Sequence, residues 1–435
     1  MAKLIEPNVL KGFRDFLPDR EAARLSLVRK LERVFHGYGF APIDTPVLEY
    51  AEVLLGKGGG ETDKQVYRFT DHGGRDVALR YDLTVPFARF MAAHLGELAL
   101  PFKRWHAAKV WRGENTQRGR YREFMQVDFD TVGTDSPSAD LEIILLIRDS
   151  FLSLGLGGVK VHYGHRGVFN TFLSRLGLAE KSVEVLRTID KERKIGTEKT
   201  REMLAAAVGG EHADRILEFT RVRESPAATC VKLAEAVGAE DPGIDRLYRV
   251  GFALDTFEMR ESFVLDPSIT RGLDYYTGIV FETFLDRLPE IGSVCSGGRY
   301  DDLASLYTSQ RLPGVGASIG LDRLMAAMEE LGEAGQAVAG PSVIVFMLDA
   351  GLLAEYHHIA SAFRGAGIPA EVYPEARKIA VQFAYAEKRG IPLAVIAGTD
   401  EYETGVVNLK DLRTRESFDG LSLEDATARA SALLR

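Results

Sequence analysis

The chain has 435 residues, 46% of them hydrophobic and 27% charged, with a formal net charge of −9, which describes a folded globular protein of two or three domains. Its two cysteines, Cys230 and Cys295, stand far apart and in no metal-ligand spacing, which argues against a disulfide framework or a zinc ribbon and fits a reducing cytoplasm. No apolar run reaches the roughly 18 residues of a membrane span and the N-terminus lacks an apolar signal core, so secretion and membrane insertion are not expected, while the acidic average still permits a local basic face for RNA.

Leu25, Val28, Leu31, Val34 and Phe35 recur at three- and four-residue spacing, predicting an amphipathic helix over residues 21–40 that stops near Gly37 and Gly39. An extended piece, APIDTPVLEY, follows, and its Pro42 and Pro46 suit a sheet edge or a subunit contact better than a central strand. Gly58, Gly59 and Gly60 read as a mobile loop. QVYRFT and RDVALR then predict two strands joined by the turn Asp71-His72-Gly73-Gly74. Asp82 and Thr84, two apart in extended chain, share a face; they either cap the helix expected over residues 86–94 or face a ligand.

Residues 104–112, RWHAAKVWR, and 121–133, YREFMQVDFDTVG, read as strands joined by the polar loop GENTQRGR. Period two puts Tyr121, Glu123, Met125, Val127 and Phe129 on one, mainly core-like face, and Arg122, Phe124, Gln126, Asp128 and Asp130 on the other. A buried structural face would not carry that second set without a ligand to satisfy it. A merely solvated face would not hold Phe124, whose ring packs well on a flat aromatic ligand such as a purine. Arg112, Arg118, Arg120 and Arg122 cluster around the loop, and the arginine fork suits phosphate oxygens.

Ser136 and Pro137 open a further helix with Leu141, Ile144, Leu145, Ile147 and Phe151 on its apolar stripe. Residues 169–259 carry helical patterns broken by glycine and proline, as in a small insertion domain. RGLDYYTG, residues 271–278, sets an arginine, an aspartate and two tyrosines among glycines and runs into the strand-like IVFETF. SVCSGGRYDDL follows, and LPGVGASIGLDRLMAAMEEL reads as a small-residue strand entering a helix. Arg323 falls in the first turn of that helix, beside the donor-rich end that attracts phosphate. Arg112, Arg271 and Arg323 thus come from distant segments, each tied to a strand or a strand end. GEAGQAVAG, residues 332–340, reads as a linker; beyond it alternating strands and helices predict a small α/β domain with a largely parallel sheet and no glycine-rich phosphate loop.

KGFRDFLPD, TPVLE, WRGENTQRGRYREFMQ and GVGASIGLDRL resemble, in order, the N-terminal segment and motifs 1, 2 and 3 of the class II aminoacyl-tRNA synthetases. RGLDYYTG and SGGRYDDL resemble the two histidine-specific signatures, so the chain is similar to the histidyl-tRNA synthetase family over nearly its full length. The resemblance implies an α+β catalytic domain with an antiparallel sheet (the class II synthetase fold), a helical insertion and a C-terminal α/β anticodon-binding domain. The corresponding divisions are residues 1–168 and 260–331 for the catalytic domain, 169–259 for the insertion, 332–340 for the linker and 341–435 for the anticodon-binding domain.

The implied reaction activates L-histidine with ATP to histidyl-adenylate and transfers histidine to the 3′ end of its tRNA, with Mg2+ accompanying the phosphates, no permanent cofactor and a homodimeric enzyme. By the same resemblance Arg112 and Arg271 are catalytic, bracketing the α-phosphate and the amino-acid carboxylate. Arg120 and Arg323 hold the outer phosphates, Glu114 faces the adenine edge and Phe124 stacks beneath the ring. Asp82, Thr84 and Gln126, with Leu83 between the first two, surround the α-ammonium; Asp130 and Tyr276 meet the imidazole; Tyr275 and Tyr300 line the pocket. Asp274 has no assigned role. LRYDLT, where many bacterial members carry LRPEGT, and Asp130, where they carry glutamate, resemble the eukaryotic and archaeal branch. A catalytically silent, histidine-sensing paralogue similar to the regulatory subunit of ATP phosphoribosyltransferase is the alternative; such paralogues usually lack the anticodon domain and carry degraded signatures, whereas both are intact here.

Overall fold

A computed structural model of the chain describes residues 4–56, 65–223, 225–257, 260–269, 275–333 and 340–434. The Gly58 to Gly60 loop, Arg271, Asp274 and most of the 332–340 linker lie outside the described residues. The chain divides into two compact units, the first holding Met1–Phe16 and Arg24–Gly335 and the second Leu17–Ala23 and Gln336–Arg435.

The first unit is built on an eight-stranded sheet in the spatial order Ala41–Pro42, Phe102–Trp111, Glu123–Val132, Gly314–Gly320, Cys295–Tyr300, Ile279–Leu285, Val159–His165 and Phe263–Leu265. The six inner strands pair antiparallel and the two short edge strands pair parallel. Pro42 sits on an edge strand, where its missing N–H removes no inner ladder bond. Val127 and Phe129 face the main hydrophobic core with Ile143, Ile144, Ile147 and Phe151 of the helix Pro137–Ser153 and Phe35 of the helix Pro18–Gly37, whose ring centroid lies 5.1 Å from that of Phe129. Along the Pro137–Ser153 helix, Ile143 and Leu146 are buried while the expected Leu141 and Leu145 are only half-buried. The stripe is rotated because apolar residues occupy most sides of this helix and its sequence does not select one face.

The opposite face of the sheet is kept low by glycine. A Cβ on Gly316 would stand 2.0 Å from Asp130 Oδ1, and one on Gly298 3.0 Å from Tyr276 Cδ1. Side chains of neighbouring segments can therefore lie across these strands, leaving a floor on which a ligand meets backbone and polar groups.

Leu48–Tyr50, Asp76–Leu79 and Arg68–Thr70 form a separate antiparallel sheet. Its hairpin is closed by Asp71, whose Oδ1 accepts from the amides of Gly73 and Arg75 at 2.9 Å each, an Asx-type turn. Helices from Arg166–Arg175 to Pro242–Leu254 fill the segment expected to be helical and pack around Phe169, Phe172 and Phe219, the last two rings stacked 4.0 Å apart. Cys230 and Cys295 are both buried free thiols. Among the described residues no helix is long and apolar enough to cross a membrane.

The second unit carries a five-stranded sheet ordered Ala370–Val372, Val343–Val345, Leu393–Ile396, Val407–Asp411 and Ser417–Leu421. The first three strands are parallel and the last two antiparallel, so the sheet is mixed rather than largely parallel. Chain length accounts for the difference. The connections into Val407–Asp411 and Ser417–Leu421 are shorter than the roughly dozen residues a parallel crossover needs.

Candidate active site

A cleft of about 280 Å³ lies over the glycine-lowered face of the eight-stranded sheet. At one end Asp82 stands just before the helix Thr84–His94. Its Oδ1 accepts from the Val85 amide at 3.1 Å and its Oδ2 from the Tyr275 hydroxyl at 3.2 Å, so one side chain both caps the helix and lines the cleft. Burial raises its carboxyl above the usual range, against the pull of the Val85 amide, Arg112, Tyr275 and Arg104.

The strand Glu123–Val132 supplies one wall, with Phe124, Gln126 and Asp128 turned to the cleft and Val127 and Phe129 to the core. Gln126 Nε2 donates to Ser318 Oγ at 2.7 Å. Asp128 is buried, and burial pushes its carboxyl up to about 7, with Asp130 and Asp82 adding to the shift and Arg104 and Ser318 opposing it. Asp130 belongs to the same strand face but sits one layer below the cleft wall. Its Oδ1 accepts from the Tyr300 hydroxyl at 2.6 Å, and its Oδ2 pairs with Arg104 Nη2 at 2.7 Å. Arg104 has no solvent exposure, lies 3.9 Å from Asp128, and donates to the Leu83 carbonyl at 3.3 Å. The rings of Tyr275 and Tyr276 meet edge-on at 4.9 Å, and those of Tyr275 and Tyr300 at 6.0 Å.

The other end of the cleft gathers guanidinium groups. Arg112 donates from Nε to the Tyr81 carbonyl at 2.9 Å and places its guanidinium 5.2 Å from the Phe124 ring centroid. Arg120 pairs with Glu114 at 3.6 Å, and Arg323 donates to the Ser293 carbonyl at 2.5 Å. Burial, with Arg120 beside it, lowers the Arg323 pKa to about 10. Cations forced together in a partly dry cleft are relieved by an anion, and their planar forks match phosphate oxygens.

A family model for histidyl-tRNA synthetase matches residues 12–324, and one for an anticodon-binding domain matches residues 342–432. The chain belongs to the histidyl-tRNA synthetase family. The histidine–tRNA ligase of Treponema denticola is 47% identical to it, with 99% of each chain covered, and that of Rhodopirellula baltica 49% identical, with 96% of each covered. The crystal structure of histidyl-tRNA synthetase from Nostoc sp. PCC 7120 superposes with a TM-score of 0.87 at 31% identity, covering 99% of this chain and all of that one. The architecture is the class II synthetase fold with a C-terminal anticodon-binding domain.

For a histidyl-tRNA synthetase family member, the residues to which sequence pointed are distributed in two layers. Asp82, Thr84, Arg112, Glu114, Arg120, Phe124, Gln126, Tyr275, Tyr276 and Arg323 line one cleft. Leu83, Asp130 and Tyr300 are buried behind it, and Arg271 is outside the described residues. Sequence reasoning missed Arg104, Ser318, Glu282 and Asp322, of which the last three line the cleft. Asp322 accepts from the Met125 amide at 2.6 Å and pairs with Arg14, whose guanidinium lies 3.2 Å over the Tyr121 ring. The N-terminal GFRDF segment is thereby fastened to the Glu123–Val132 strand and to the helix bearing Arg323. The alternation of the strand did single out Asp128, but nothing in the sequence separated its environment from that of Asp130.

Proposed function

We propose that the chain is a histidine–tRNA ligase whose cleft condenses L-histidine with ATP to histidyl-adenylate and pyrophosphate, after which the histidyl group passes to the 3′ end of histidine tRNA. Convergence of a buried acceptor set with three arginines in one cleft, in a chain of this family, carries the proposal. Attack of a carboxylate on the α-phosphorus brings two anions together, so the protein must position them and neutralise charge as the transition state forms.

Arg112 and Arg271 take the catalytic roles at the α-phosphate and the amino-acid carboxylate. Arg120 and Arg323 take the outer phosphates, Phe124 the purine face and Glu114 the adenine edge. Asp82, Thr84 and Gln126 receive the α-ammonium, with Leu83 holding the turn between them. Tyr276 and Asp130 serve the imidazole, Asp130 with Tyr300 bonded to it, and Tyr275 completes the wall. Opposed polar partners discriminate strongly, on the order of 10⁴-fold, because a wrong amino acid leaves them unpaired. Magnesium arrives on the phosphates of ATP. Among the described residues no three acidic, histidine or cysteine side chains converge to hold an ion, while Glu282 lines the cleft and matches the one or two carboxylates that a phosphate-bound magnesium uses.

Residues 169–259 form the insertion and 341–435 the anticodon-binding domain. The enzyme acts as a cytoplasmic homodimer, and the exposed Val47, Leu48 and Tyr50 beside Pro46 support the motif 1 segment as its contact. Pyrophosphate exchange into ATP, run with each amino acid in turn, tests the activity. Exchange with histidine alone is expected; exchange independent of histidine, or none, refutes it.

A further inference from the structure

We propose that Asp128 is a further ligand-binding residue, whose free carboxylate oxygen receives the α-ammonium of histidine together with the side-chain oxygen of Gln126, a role that rests on the cleft being the histidine site.

Asp128 is 1% exposed and Gln126 8%, and they stand two apart on the same face of one strand, both lining the cleft. Gln126 gives Nε2 to Ser318, and its Oε1 has no hydrogen-bond partner among the described residues; neither does Asp128 Oδ1. The other Asp128 oxygen meets the Thr84 hydroxyl at 3.5 Å and Arg104 at 3.9 Å, and the Ser318 hydroxyl hydrogen-bonds the carboxylate from the neighbouring strand. The neighbouring acids differ. Asp130 holds Tyr300 and Arg104 at 2.6 and 2.7 Å, and Asp82 holds the Val85 amide and the Tyr275 hydroxyl.

The pocket therefore presents two adjacent buried oxygens, Gln126 Oε1 and Asp128 Oδ1, without a hydrogen-bond partner among the described residues, and the nearest cation to the carboxylate, Arg104, is 3.9 Å away and closer to Asp130. Such groups are costly unless a ligand supplies donors. An alkylammonium suits this pair, since it carries three N–H donors, a positive charge and no acceptor. An imidazole N–H is a single donor and cannot serve both oxygens. Arg104, Asp130, Asp82, Tyr276 and Cys295 are the charged and titratable groups that face Asp128, with Ser318 beside it. With its carboxyl near 7, the empty site is part-protonated at neutral pH, and an arriving cation drives that proton off.

The test uses the full chain and its Asp128→Asn variant, titrated calorimetrically with three probes. Histidine has all groups, histidinol lacks the carboxylate, and 3-(imidazol-4-yl)propanoate lacks the ammonium. The variant is expected to lose about 10- to 100-fold in affinity for histidine and histidinol, as for a charge-assisted hydrogen bond, and to bind the propanoate unchanged. Equal loss on all three probes, or no loss on histidine, overturns the proposal. A second measurement compares proton release: binding heats of histidinol at pH 7, in two buffers of different ionisation enthalpy, are expected to show more proton release from the wild type than from Asp128→Asn, and equal release from both overturns the proposal. A wild type that binds none of the probes removes the histidine-site reading and this proposal with it, whereas a binding wild type with a flat variant profile removes this proposal alone.

Discussion

Tyr300 donates a 2.6 Å hydrogen bond to Asp130 although their strands are not neighbours, since Gly314–Gly320 runs between them. Gly316, directly opposite Asp130 in register, has no side chain to block the path. The bond thus ties the motif 2 strand to the strand carrying the second histidine signature, with Arg104 closing the other side of the carboxylate. Tyr300→Phe removes the hydroxyl from a buried charge and is expected to cost about 1.5–3 kcal/mol of folding stability, read from urea denaturation, and to weaken histidine binding. A variant within about 0.5 kcal/mol of the wild type, the range of neutral surface changes, would show that the bond contributes little.

Arg299, the residue before Tyr300, makes a second buried tie. Its Nε and Nη2 reach Asp140 Oδ1 at 3.0 and 2.7 Å, while Arg246 from the helical segment takes Asp140 Oδ2 at 2.5 Å. Burial raises the Asp140 carboxyl and the two arginines pull it down, so its charge depends on them. Arg299→Leu leaves the carboxylate with one partner, and a loss of about 3 kcal/mol or more is expected by chemical denaturation. A fully stable variant would mean that Arg246 alone satisfies Asp140.

Alternation within one strand was enough to separate Phe124, Gln126 and Asp128 from Val127 and Phe129, because that division is internal to the strand. Depth was not legible. Asp130 shares the face of Asp128 but lies lower because Arg104 stands opposite it on the Phe102–Trp111 strand and Gly316 opposite it on the other side, and both registers are set by distant chain. Arg104 itself read as an ordinary strand residue, since nothing local marks it as buried. The Arg14–Asp322 tie joins residues 308 positions apart, beyond any periodicity. At Asp82 the helix-capping and ligand-facing expectations were posed as rivals, yet a carboxylate has two oxygens and the structure uses them separately.

Arg323 is anchored through the Ser293 carbonyl and crowded by Arg120. If it receives phosphate, Arg323→Gln keeps a hydrogen-bonding amide but removes the charge. ATP affinity is then expected to fall about 10- to 100-fold while histidine affinity is unchanged, measured by separate titrations. An equal loss for both ligands would instead point to collapse of the cleft.

Asp128 makes stability itself depend on pH. Its folded pKa of about 7 lies above the 3.8 of a free aspartate, so between these values the folded state holds a proton that the unfolded chain has released. The stabilisation is fully present below about pH 4 and is lost as pH rises through about 7. Asn mimics the protonated side chain at every pH, so in Asp128→Asn this loss is absent, and Asp82 and Asp130 are freed from a like charge. Urea midpoints at pH 5 and pH 8 are therefore expected to move in the variant's favour: the variant is closest to, or below, the wild type at pH 5 and gains on it by pH 8. A difference between the two proteins that stays constant across this range would mean that Asp128 is charged in the empty pocket throughout, held so by Arg104.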